Sequence, residues 1–171
     1  MNLNYKDLLP RDFDGDSRVW IYQSNRLFGV AEALQVESLL REFVSGWQTH
    51  GIPVKGYGAL FFGQFIILVA DESATGVSGC STDSSLRLIK QIEGQFKVSL
   101  FDRQLLAFLI KDKIQVLPLS QLSYGFENDF LTDETIYFDN TVPTLNDLES
   151  RWIQPISQTW LKKKIPGTAS R

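Results

Sequence analysis

The sequence predicts a single α+β domain, a mainly antiparallel sheet with helices packed on it. Three observations lead there. Short runs rich in β-branched and aromatic residues follow one another closely enough to pair as hairpins. Three other segments repeat apolar residues at the helical period. No repeat and no Pro/Gly-rich linker divides the 171 residues, a length that ordinarily makes one domain. With 43% hydrophobic and 22% charged residues, the chain has the apolar content for a core without a disulfide or metal staple.

Residues 1–16 are polar and aspartate-rich and read as an irregular lead-in to a domain over 17–164. Arg18 to Gln23 (RVWIYQ) has the content of a first strand. Val36, Leu39, Leu40, Phe43, Val44 and Trp47 then fall on one helical face, which predicts a helix over about 32–50. Glu37 and Arg41 form an i,i+4 pair on it, and Gly51 and Pro53 end it. Val54–Phe62 and Phe65–Ala70 read as strands joined by a II′ turn at Gly63-Gln64. FIILVA is apolar on both faces and therefore central. Leu86, Ile89, Ile92 and Phe96 mark a second helix over 83–95, ending near Gly94. Phe96–Leu100, Leu105–Ile110 and Ile114–Leu117 read as strands, although the second run is short enough to be helical. Thr135–Phe138 is a last strand. Thr144 and Asp147 fit a capping pattern that opens a helix over 144–161, with Pro155 as a kink or break. Trp47, Trp152 and Trp160 are expected to be buried. Residues 165–171 read as a disordered tail.

Charge and cysteine usage narrow the function. The balance of 17 basic and 20 acidic residues, net −3, gives no support to nucleic-acid binding driven by net charge. Seven acids and no Lys or Arg occupy 114–150, whereas 151–171 carries five bases and no acid. This division makes either a solvated acidic face with a basic tail or a contact between the two. The single Cys80 and single His50 exclude an intrachain disulfide and any site rich in Cys or His ligands, so no metal or cofactor is expected. The first twenty residues lack an apolar h-region, and the longest apolar runs have six residues, against the ~20 a membrane span needs. A cytoplasmic protein without a membrane span is expected, and homo-oligomerisation is left open.

Several motifs fail on inspection. Asp12, Asp14 and Asp16 suggest a calcium loop, but Gly15 and Gln23 stand where its spacing needs other positions and residues. Gly56-Tyr-Gly58 does not continue as GxGxxG, and Gly76-Val-Ser-Gly79 is not GxSxG. No GxxxxGK[ST] occurs.

The segment from Asp71 to Ser85 stands apart as a polar Gly/Ser-rich connection into the second helix. Ser81 or Thr82 is a natural N-cap, with Asp83 or Ser84 in the first turn. Exposed N–H groups and the positive pole at such an end favour an anion. Gly79, Ser81, Thr82, Asp83 and Ser84 are therefore candidate ligand-binding residues. Arg103, beside Asp102, is a candidate second wall, and Tyr22, Ser24 and Arg26 have the same standing. The same cluster also reads as an ordinary capped turn, and Cys80 as a small buried hydrophobe.

The segments VWIYQSNRLF (19–28), GCSTDSS (79–85), LFDR (100–103) and TLNDLESRWIQP (144–155) resemble a group of short uncharacterised bacterial proteins, some of which carry an ABC-transporter-ATPase label. The resemblance implies no activity, and without a phosphate loop this chain gives that label no support. The leading functional expectation is a module that binds a small ligand or a protein partner around Gly79–Ser85. The alternative is a thiol-dependent enzyme with Cys80 as its catalytic nucleophile. Its weakness is the base: His50 ends a different predicted helix, and Asp71, Glu72 or Asp83 would raise a nearby thiol's pKa.

Overall fold

A computed structural model describes residues 1–71, 73 and 79–165, with 79–81 by backbone alone. It has the expected α+β architecture with antiparallel sheets. The elements are β1 (Arg18–Gln23), α1 (Val30–Ser45), β2 (Gln48–Thr49), β3 (Ile52–Pro53), β4 (Lys55–Phe61), β5 (Phe65–Asp71), α2 (Gly79–Phe96), β6 (Leu105–Ile110), β7 (Lys113–Pro118), α3 (Leu122–Glu127), β8 (Ile136–Phe138), α4 (Leu145–Arg151) and β9 (Ile153–Pro155). Among the described residues they form two principal sheets, β1-β5-β4 and β7-β6-β8-β9, and the small β2-β3 hairpin.

Strand alternation layers the molecule. Phe65, Ile67 and Val69 on one face of β5 join Val19, Phe61, Ala107, Phe138, Leu148 and Trp152 between the two principal sheets. Ile66 and Leu68 on the other face pack against Val36 and Leu40 of α1 and Leu88, Ile89 and Ile92 of α2. Leu106, Phe108 and Tyr137 face the C-terminal segment through Ile156, Leu161 and Ile165. Every residue of β5 is buried, as its unbroken apolar run requires. The central layer is aromatic: Phe65 stacks on Phe138 at 4.8 Å, and Trp152 meets Tyr5 edge-on at 4.9 Å. Burial pushes the Tyr5 phenol up to about 12, and its hydroxyl donates to Leu148 O at 2.6 Å. The lead-in thus contributes a core residue.

Several boundaries differ from the sequence expectation. α1 stops at Ser45, and His50 and Gly51 form the left-handed turn of the β2–β3 hairpin, at φ 50° and 78°. Trp47, buried as expected, lies beyond the helix and packs on Phe43 and Trp20. Glu37 accepts from Leu60 N at 2.8 Å on the edge strand β4, which replaces the anticipated contact with Arg41. The β4–β5 turn sits one residue early: Phe62 and Gly63 carry positive φ, and Phe61 O accepts from Gln64 N. Phe62 tolerates that conformation because its ring packs on Phe138 and Trp152 at 5.9 and 5.8 Å.

α2 continues past Gly94 because Ile92 and Phe96 share its buried face, and Lys97, at φ 53°, closes it. Residues 97–100 are therefore not a strand. Glu93 Oε1 and Asn25 Oδ1 accept from Leu100 N and Ser99 N, doing for this backbone what a neighbouring strand would do. β6 is a strand, paired on both sides.

Thr144 caps α4 as expected, accepting from Asp147 N. The helix ends at Arg151, however, and residues 153–155 become edge strand β9, where Pro155 has no N–H to waste. Trp152 is fully buried, whereas Trp160 is only half-buried. Lys162 pairs with Asp133, so the basic end does touch the acidic stretch. No helix among the described residues is long and apolar enough to cross a membrane.

Candidate functional site

Among the described residues singled out around α2, Ser84 and Ser85 have different surroundings. Helix α2 begins at Gly79, so Ser81 and Thr82 lie inside its first turns and are not caps. Ser and Thr are tolerated there, and sequence alone does not decide between cap and first turn. The Gly79 position, the Ser81 side chain and the Cys80 thiol lie outside the side-chain description. Thr82 is half-buried and Asp83 exposed. Ser84 faces a shallow groove between α1 and α2, lined also by Leu39, Phe43, Trp47 and Arg87. Ser85, in contrast, is buried, and its hydroxyl donates to Thr82 O at 2.8 Å.

Ser24 and Arg26 are structural. Ser24 is buried, with its N–H on Gln64 O and its carbonyl accepting from Gln64 Nε2. Arg26 holds Glu32 with both terminal nitrogens, at 2.7 and 2.9 Å, and reaches Phe96 O at 2.8 Å. It thereby clamps the start of α1 to the end of α2. The same guanidinium, helped by the N–H of Gly29, lowers the Glu32 carboxyl to about 2.

Tyr22 and Arg103 do come together, at a cleft of about 380 Å³ between the two principal sheets. One wall is β1 from Val19 to Gln23. Opposite lie the 100–106 segment and the turn Asn140–Pro143, with Tyr137 and Trp160 lining it as well. Tyr22 is buried against Phe101, ring centroids 5.7 Å apart. Burial raises its phenol pKa, partly offset by the Ser85 hydroxyl and the Arg103 charge. Through Tyr22, α2 thus abuts this cleft at Ser85, whereas Ser84 faces the other groove. Arg103 is exposed and has no ion-pair partner among the described residues. Asp102 Oδ1 accepts from Gln104 N and fixes the turn that presents Arg103.

Sequence reasoning missed Gln23, Asn140 and Trp160. Gln23 and Asn140 belong to one directed relay. Trp152 Nε1 donates to Asn140 Oδ1 at 3.1 Å, Asn140 Nδ2 to Gln23 Oε1 at 2.7 Å, and Gln23 Nε2 to Leu105 O at 3.2 Å. An indole N–H only donates and a carbonyl only accepts, so both amide orientations are determined. Each amide keeps one N–H to spare. At the other end of β1, Val19 N donates to Pro143 O and Ser17 O accepts from Leu145 N, both at 2.9 Å. The cleft is therefore braced at both ends. Trp160 Nε1 is buried beside the Tyr137 hydroxyl without reaching hydrogen-bond geometry to it or to another group. No local pattern joins residues 23, 140 and 160, which is why the sequence conceals them.

Among the described residues no cluster of His, Cys, Asp or Glu could hold a metal ion. No protein-family model matches the sequence, and no curated protein or solved structure matches the chain.

Proposed function

We propose that this protein is a small binding module whose ligand occupies the cleft between its two principal sheets. The observation that carries this reading is a concave space of about 380 Å³ lined by Trp20, Tyr22, Phe101, Tyr137 and Trp160 with Gln23, Arg103 and Asn140. Aromatic walls with a few placed polar groups are the usual composition of small-molecule sites, and the volume lies at the small end of their range of roughly 300–1,000 Å³. Braces at both ends mean that the space exists before a ligand arrives, which lowers the ordering cost of binding. Of the residues first suggested by sequence, Arg103 and Tyr22 belong to this reading, with Ser85 behind Tyr22. A mixed fragment library titrated into the ¹⁵N-labelled protein tests it. Shifts should concentrate on the amides of residues 19–23 and 100–106 and on the side chains of Gln23 and Asn140. Shifts confined to the α1–α2 groove, or none at all, would overturn it.

A further inference from the structure

The chemistry of the β1 edge narrows the ligand. β1 is an edge strand that pairs with β5 alone in its sheet. Its backbone groups alternate in direction along the strand. Val19 N and Ser17 O point outward, since they bond Pro143 O and Leu145 N, whereas Ser24 N points inward to Gln64 O. The odd-numbered residues therefore face out, and both the N–H and the C=O of Ile21 open toward the cleft. Neither has a partner among the described residues. An unpaired edge usually invites an extended peptide. Here the 2.7 Å bond between the Asn140 and Gln23 side chains spans that end of the cleft, leaving no corridor for a through-running strand.

We infer that the cleft takes a small, neutral, planar molecule with adjacent N–H and C=O groups on one edge, a lactam or imide heterocycle. This rests on the cleft being the binding site. Ile21 offers a donor and an acceptor side by side, the complement of such an edge. The spare N–H groups of Gln23 and Asn140 can serve a further carbonyl of the ring. The charged rim is balanced, with Arg103 beside Asp102, so it selects for no net charge. The aromatic lining accepts a flat ring.

The test compares 2-pyridone with N-methyl-2-pyridone and benzoate in NMR titrations of the full chain. The methyl analogue keeps the ring and the carbonyl but lacks the N–H. 2-Pyridone should move the Ile21 amide proton downfield and slow its exchange. The methyl analogue should bind about tenfold more weakly, the usual consequence of losing one neutral hydrogen bond, and at equal concentration should slow that proton's exchange correspondingly less. Benzoate should bind no better than the methyl analogue. If all three perturb the cleft residues equally, or benzoate is preferred, the cleft stands and the lactam assignment falls. If none perturbs residues 19–23 or 100–106 at millimolar concentration while other fragments do, the assignment falls alone. If no fragment does, both readings fall. Ile21→Val, which keeps the backbone pair and most of the side chain, should retain the 2-pyridone preference, and its loss there would also count against the assignment.

Discussion

Truncating Asn140 to alanine isolates the relay that braces the cleft. Trp152 is fully buried, so without Asn140 Oδ1 its indole N–H loses its acceptor. A buried neutral donor left unpaired costs about 1–3 kcal/mol. Gln23 Oε1 also loses its donor, but it borders the cleft and water can replace the amide there, so its share is small. The expected loss is about 2 kcal/mol, or about 4–8 °C in Tm for a chain of this size. Urea unfolding followed by fluorescence should show the midpoint fall with an unchanged slope, because little surface changes. The decisive comparison is Asn140→Ala in a Trp152→Phe background, where there is no indole N–H to strand. There the substitution should cost at least about 1 kcal/mol less, a coupling of the size expected for contacting groups. Equal costs in both backgrounds would show that the Trp152–Asn140 bond does not carry the effect, and the description of a braced cleft would lose one end.

Two further substitutions probe the frame around the site. A Cβ on Gly56 would sit 2.6 Å from Trp47 Cε3, so Gly56→Ala should destabilise by about 1–3 kcal/mol, as overpacking does, with a shift in tryptophan emission. Unchanged stability and emission would mean that Trp47 has room to move. Asp71, buried beneath Lys55 and the 12–14 segment, has its carboxyl held well below the usual range by Ser73, Lys55 and the Asp14 N–H. A depressed folded pKa adds stability that is fully present above the unfolded value near 4 and fades as pH falls below it. Asp71→Asn should therefore cost stability at pH 7 and flatten the decline below pH 4, and a parallel decline in both proteins would refute the assignment.

What the sequence revealed and concealed follows from the range of each interaction. β1, β5 and β6 were legible to within a residue because β-branched and aromatic content and burial are local properties of a run. The Thr144 cap was legible because its partner is three residues away. Residues 96–100 imitated a strand because Val98 and Leu100 are buried, yet burial there comes with side-chain acceptors in place of a neighbouring strand. The stripe from Leu145 to Trp160 suggested one helix, but leaving α4 lets residues 153–155 cover the edge of β8, a long-range gain that no local pattern records. The candidate site was half legible. Arg103 and Tyr22 stand out as polar groups beside apolar strands, whereas Asn140 reaches Gln23 across 117 positions.

The position of the cleft follows from how the two sheets are joined. At Arg18 and Thr144 one antiparallel bridge ties the start of β1 to the segment that follows β8. Had residues 140–143 continued along β1, that bridge would have grown into a ladder, and Ile21 would be paired. They diverge because Asp139 Oδ1 captures both the N–H and the hydroxyl of Thr141, at 3.1 and 2.6 Å, while Val142 turns into the central core. The resulting gap is then spanned by the Asn140 and Gln23 side chains. An uncovered strand edge on the periphery of a protein is open to another chain. Between two sheets it is shielded from chains and accessible only to something small. The same turn chemistry at Asp139 thus leaves the backbone pair of Ile21 unpaired and sets the size of what can reach it.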